Sequence, residues 1–392
     1  MSERRVYLDH SASTPVEPRV VAAMSPYFSE VYGNPSSIHG YARQAERGVE
    51  QARETLARIL NCQPREVVFT SCGSESDNLA VRGIAMAARQ RGKARPRLVT
   101  SPLEHSAVSR TVSQLAALYD CESVFLTMAS DGSLSAEALA ASLQPGDALV
   151  ALMLANNEVG TVLPIRELAE MAHENQAAFH TDAVQAAGQL DLDVQALGVD
   201  TLAISGHKFY GPKGVGALFV RDGLELVPHM TGGSHEEGRR GGTLNTPLIV
   251  GLAEALKIAY EERDWYVQHC ANLRDQLIDG ILSRVPDAVL TGSHEHRLPS
   301  HASFAFQHVN GNQLLMQLDN KGIAASSGSA CKTGNPKPSA LLMAMGYDES
   351  WAFGGLRLSV GRQTTQAEID YVLDVLPREL EKARKLSAVL MG

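Results

Sequence analysis

A chain of 392 residues, 44% apolar and 20% charged, has the make-up of an ordinary globular protein and is long enough for two domains. Its formal net charge of −9 argues against a dedicated nucleic-acid binder, which carries a basic face. The five cysteines, at 62, 72, 121, 270 and 331, are scattered and odd in number, which fits reduced thiols rather than a disulfide framework or a zinc site.

In chain order, Met1 to Arg5 lack the apolar core of a signal peptide. No later run reaches the roughly 20 apolar residues that span a bilayer, so the expected location is the cytoplasm, with no membrane partner. Helical spacing of apolar residues predicts helices over 36–60, 77–90 and 165–175. Short β-branched runs predict buried strands at 67–70, 97–100, 148–153 and 201–204. This alternation implies an α/β fold with a mostly parallel sheet flanked by helices, whose sites gather at the carboxyl ends of the strands. Beyond residue 260 a long helix over 261–283 is followed by shorter strands near 302–306 and 356–360. A closing helix is expected from 366 to about 389. The expected division is a large domain over 16–260 and a smaller α+β domain made of 1–15 with 261–392. His294-Glu295-His296 reads as a solvated loop, and no metal site is expected.

Chemistry-bearing residues follow the strands. Cys72-Gly73-Ser74 follows the first and opens a helix, a setting for either an N-cap turn or an anion held on backbone N–H groups. Glu104-His105 follows the second, and Asn156-Asn157-Glu158 the third. Asp182 and Gln185 end another apolar run. Ser205-Gly206-His207-Lys208 leads into a Gly/Pro turn that presents one lysine. A strand-end lysine with a carboxylate partner is the arrangement that holds an aldehyde cofactor of the pyridoxal type. Gly232 to Thr243 is glycine-rich and charged. Arg357 sits inside a strand-like run, where an inward guanidinium needs an anionic partner. Cys331 lies in Ser326-Ser327-Gly328-Ser329-Ala330-Cys331, a loop of small residues beside Lys332. A cation next to a thiol favours the thiolate.

These motifs, in this order from residue 7 to residue 362, make the chain resemble the cysteine desulfurases of the NifS/IscS type, fold-type I enzymes of the class V aminotransferase family. The resemblance implies a fold-type I transferase with a seven-stranded sheet in its large domain and pyridoxal 5′-phosphate as cofactor. Gly73, Ser74, Ser205 and His207 then hold the phosphate, and Thr243 reaches the phosphate of a second copy in a homodimer. Asp182 faces the pyridine nitrogen, Gln185 and Asn157 the phenolic oxygen, and His105 lies over the ring. Lys208 carries the cofactor, and Lys208 or His105 moves the substrate's α-proton. Asn157 and Arg357 bind L-cysteine. Cys331 takes its sulfur as a persulfide and passes it to an acceptor protein such as an iron–sulfur scaffold, for cluster or thio-cofactor assembly. Two residues depart from the family pattern: Cys72, in place of a small residue, and Glu237, where arginine is common. Selenocysteine lyase, or another pyridoxal-dependent aminotransferase or lyase, is the alternative on the same scaffold.

Overall fold

The computed structural model describes residues 5–327 and 337–391, the last five by backbone alone. Its strands are β1 (Val6–Tyr7), β2 (Val67–Thr70), β3 (Arg97–Thr100), β4 (Glu122–Phe125), β5 (Leu149–Ala151), β6 (Ala178–Asp182), β7 (Thr201–Ser205), β8 (Gly216–Val220), β9 (Ala288–Leu290), β10 (His301–Phe306), β11 (Ile323–Ala324) and β12 (Gly355–Ser359). Seven of them form one sheet in the order β2-β8-β7-β6-β5-β3-β4. Neighbours from β7 to β4 run parallel, and β8 alone runs antiparallel to both strands beside it.

Alternation along the strands explains why helices cover both faces. Val67, Phe69, Val150, Phe179, Leu202 and Phe219 point to one side, where Leu56, Leu168 and Leu252 meet them. Val68, Ala203 and Leu218 point to the other, where Leu79 and Ala80 of the helix Gly73–Gln90 pack. With both faces buried the strands read as continuous apolar runs. Every parallel strand therefore ends at one edge, and the loops leaving that edge carry the motifs.

The expected elements are present, with instructive differences at their ends. The first long helix begins at Gly40, not 36, because His39 caps it by accepting from the backbone N–H of Ala42. The helix expected at 77 begins at Gly73, so Cys72 is its N-cap and Gly73 and Ser74 lie in its first turn. The stretch after residue 245 forms two helices, Thr246–Glu261 and Arg263–Arg284, broken at Glu262.

A second apolar cluster joins Val6 and Leu8 to Leu277, Phe304, Leu358 and Leu376, around the antiparallel sheet β12-β10-β9 and the parallel pair β1-β11. We propose domain boundaries near residues 15 and 260 on the strength of this separate core. Leu298, Leu341 and Met345 nevertheless pack with the large sheet. Among the described residues no helix is long and apolar enough to cross a membrane.

Candidate active site

The loops at the carboxyl edge of the sheet close around a cavity of about 330 Å³. Gly73, Ser74, His105, Asn157, Asp182, Gln185, Ser205, His207, Lys208 and Arg357 all line it. The structure thus brings together ten of the twelve residues singled out in the sequence. Thr243 does not line the cavity and is exposed. Cys331 lies outside the described residues.

Each side chain is placed by local chemistry. Asn156 accepts from the N–H groups of Glu158 and Val159, and this turn carries Asn157 to the cavity wall. His105 caps the helix Ser106–Tyr119, accepting at Nδ1 from Ala107. Asp182, the last residue of β6, accepts from the N–H of Val184 at 2.9 Å. Lys208 follows β7 on a turn folded so tightly that a Cβ on Gly211 would sit 2.7 Å from the Gly206 carbonyl. Its amine donates to the carbonyls of Ser11 at 2.6 Å and Ala12 at 3.0 Å. Burial, then the Arg357 guanidinium, bring the Lys208 pKa down to about 8, against the pull of Asp182 and Asp9. Burial and the neighbouring Lys208 and Lys213 lower His207 to about 4. An arriving phosphate would reverse that shift, since an adjacent anion favours imidazolium.

Arg357 stands in the middle of β12, where Ser326 bridges it through backbone hydrogen bonds. Its guanidinium donates to the carbonyl of Asn157 and to Asp9 Oδ1, both at 2.8 Å. Its buried Nε has no partner among the described residues. Arg362, the next arginine after Arg357, points elsewhere: it pairs with Glu262 and lies over Tyr210 and Trp265. The cavity also draws in Cys72, the departure from the family pattern, and residues that sequence reasoning passed over, namely Ser11, Ala12, Asp77, Met153 and Val184.

Pyridoxal phosphate suits this donor set. The first turn of an 18-residue helix opens on the cavity at Gly73, and a side chain there would meet Val184 at 2.8 Å and Ser205 at 3.3 Å. A glycine at a helix start suits such a cradle for an anion, and Ser205 and His207 line the same cavity. A buried carboxylate, Asp182, and a half-buried amine, Lys208, complete the set that a ring nitrogen and an aldehyde require.

The sequence matches the aminotransferase class-V family over residues 6–372. It is 40% identical over 385 residues to the cysteine desulfurase IscS of Dictyoglomus turgidum, covering 98% of this chain and 97% of that protein. Among solved structures, a NifS-like protein is similar with a TM-score of 0.89 at 34% identity, over 97% of this chain and 100% of that one. SspA, solved in complex with cysteine, is similar with a TM-score of 0.80 at 35% identity, over 92% of this chain and 100% of that one. Both family and cavity therefore imply pyridoxal phosphate as cofactor. The chain belongs to the class-V aminotransferase family, among its cysteine desulfurases of the NifS/IscS type.

Proposed function

We propose that this protein converts L-cysteine to L-alanine and keeps the sulfur as a persulfide on Cys331 for an acceptor protein. The observation that carries the reading is the convergence of Lys208, Asp182, His105 and Arg357 on one cavity, in a chain 40% identical to a cysteine desulfurase over almost its whole length. When bound, pyridoxal phosphate supplies an electron sink for the substrate's α-carbon. Asp182, as a carboxylate, holds a proton at the ring nitrogen. Ser205, His207 and the N–H groups of the first turn at Gly73 and Ser74 take the phosphate, and Gln185 and Asn157 face the phenolic oxygen. Arg357 takes the substrate carboxylate, with its Nε, which has no partner among the described residues, as a donor. Lys208, with a pKa near 8, takes the α-proton, and His105 is placed to relay protons. The Cys331 thiolate attacks the substrate sulfur. An S–S bond forms as the Cβ–S bond breaks, the electron pair stays on carbon, and a proton converts that carbon to the methyl group of alanine. Supplied with L-cysteine and a thiol reductant, the purified protein should release alanine and sulfide in equal amounts. Release of a keto acid instead would mark an aminotransferase.

Arg357→Ala should raise KM for cysteine on the order of 100-fold, the usual cost of a lost charge-assisted contact. Equilibrium dialysis should show cofactor binding nearly unchanged. Unaltered KM and kcat would remove Arg357 from the substrate site.

We also read the protein as a cytoplasmic homodimer. Support for the setting comes from the described cysteines, Cys62, Cys72, Cys121 and Cys270, all unpaired. Support for the dimer comes from Thr243, which is exposed and away from its own chain's cavity, at the end of the glycine-rich loop. That loop is pinned at Glu236, whose buried carboxylate takes two hydrogen bonds from Arg53 and one from the N–H of Phe69. Sedimentation at micromolar concentration should give twice the chain mass. An active monomer with full cofactor content would contradict this.

A further inference from the structure

Asp77 is a buried acid on the cavity wall that the proposed reaction leaves unused. It lies on the helix Gly73–Gln90 and is 1% exposed. Carboxylate oxygens of Asp77 and Asp182 and a ring nitrogen of His105 all lie within 4.8 Å of one another. Oδ1 of Asp77 is 3.3 Å from Nε2 of His180, whose Nδ1 is 2.9 Å from the Thr201 hydroxyl. His180 and Asp182 stand two apart on β6 and share a face. The ionisable groups facing Asp77 are therefore Asp182 and His180 from β6, Glu104 and His105 from the loop after β3, and Cys72 at its own helix start.

Two carboxylates this close, both out of water, do not both ionise; one keeps a proton. The surroundings decide which. Burial disfavours charge on Asp182 as well, but Asp182 accepts from the N–H of Val184 and lies near the Lys208 amine, and both favour its carboxylate. Burial most of all disfavours charge on Asp77, and the facing Asp182, Glu104 and Cys72 add to it. Its closest imidazole gives no counter-charge, because burial lowers His180 to about 3.

We propose that Asp77 is a positioning residue that keeps its proton and so leaves Asp182 as the ionised carboxylate of the cavity. The inference rests on the reading that the cavity takes pyridoxal phosphate with its ring nitrogen at Asp182. A neutral Asp77 offers an O–H donor to His180 or Asp182. A charged Asp77 would place a second anion beside the ring.

The test compares Asp77→Asn, a neutral isostere, with Asp77→Ala. In Asp77→Asn the visible band of the bound cofactor should titrate within about 0.3 pH unit of the wild-type midpoint. A midpoint lower by about a unit or more would show that wild-type Asp77 is charged and would overturn the proposal. Asp77→Ala should bind pyridoxal phosphate about tenfold more weakly, with affinity restored by Asn. Equal weakening in both variants would also overturn it, leaving Asp77 a packing residue. A further measurement needs no variant. With ¹³C-labelled aspartate, infrared spectra of the wild-type protein at pH 7.5 should show a protonated aspartic acid with and without cofactor. Its absence from both overturns the proposal. A wild-type protein that takes up no pyridoxal phosphate would instead sink the cofactor reading, and the cofactor-free spectrum would still judge Asp77.

Discussion

Lys208→Ala should yield a folded protein that no longer fixes pyridoxal phosphate on borohydride reduction. Its turnover of L-cysteine should fall by about four orders of magnitude or more, as when an enzyme's nucleophile and base are removed together. Lys208 is the single lysine among the described residues that line the cavity. An ordinary lysine is neutral in roughly one molecule per thousand at pH 7.5, whereas one with a pKa of about 8 is neutral in roughly a quarter. Burial thus gives this amine the free lone pair that attack on an aldehyde and removal of a proton both need. The substitution leaves the carbonyls of Ser11 and Ala12 without their donor, a cost of about 1–3 kcal/mol. Near-ultraviolet circular dichroism should confirm that the fold survives. Digestion of the reduced wild type should place the pyridoxyl group on Lys208. Finding it on Lys213 would contradict the assignment.

Cys331→Ser should keep the cofactor and its spectrum and still bind cysteine, yet form alanine at least about a thousandfold more slowly. A serine hydroxyl is not deprotonated near neutral pH and does not attack sulfur as a thiolate does. Three of the other thiols are poor substitutes. Burial raises Cys62 and Cys270 to about 12 and pushes Cys121 upward as well. Cys72 does line the cavity and is the rival to exclude. Cys72→Ser should therefore keep most of the activity. The chain leading to Cys331 starts in the right place: Ser326 bridges Arg357, the residue assigned to the substrate carboxylate. Loss of alanine production in Cys72→Ser but not in Cys331→Ser would transfer the role.

The sheet and the loops at its carboxyl edge were legible because one physical rule writes both. Strands buried on both faces leave short apolar runs, and the polar or small residues that follow each run mark its carboxyl end. Ser74, His105, Asn157, Asp182 and Lys208 could be read in that way, and the structure brings them together. The contacts of Lys208 could not be read so, because backbone carbonyls at Ser11 and Ala12 have no sequence signature. Nor could the pairing of Asp9 with Arg357, which joins residues 348 apart. Asp77 did leave a trace. It falls on the apolar stripe of its helix with Ala80, Val81 and Ile84, where a solvated carboxylate does not belong. Thr243 was assigned by resemblance, and its distance from the cavity has no signal in a single chain. The helix Thr246–Glu261 was not anticipated, while the long helix expected from 261 begins at Arg263.

The most direct test of sulfur transfer is a mass measurement on the wild-type protein. The cofactor-loaded protein is exposed briefly to L-cysteine without reductant, alkylated and digested. A gain of about 32 Da, the mass of one sulfur atom, should map to the peptide carrying Cys331 and disappear on treatment with a thiol reductant. Alanine released in the same reaction, with no added sulfur on Cys331 or with the sulfur on another cysteine, would contradict the account.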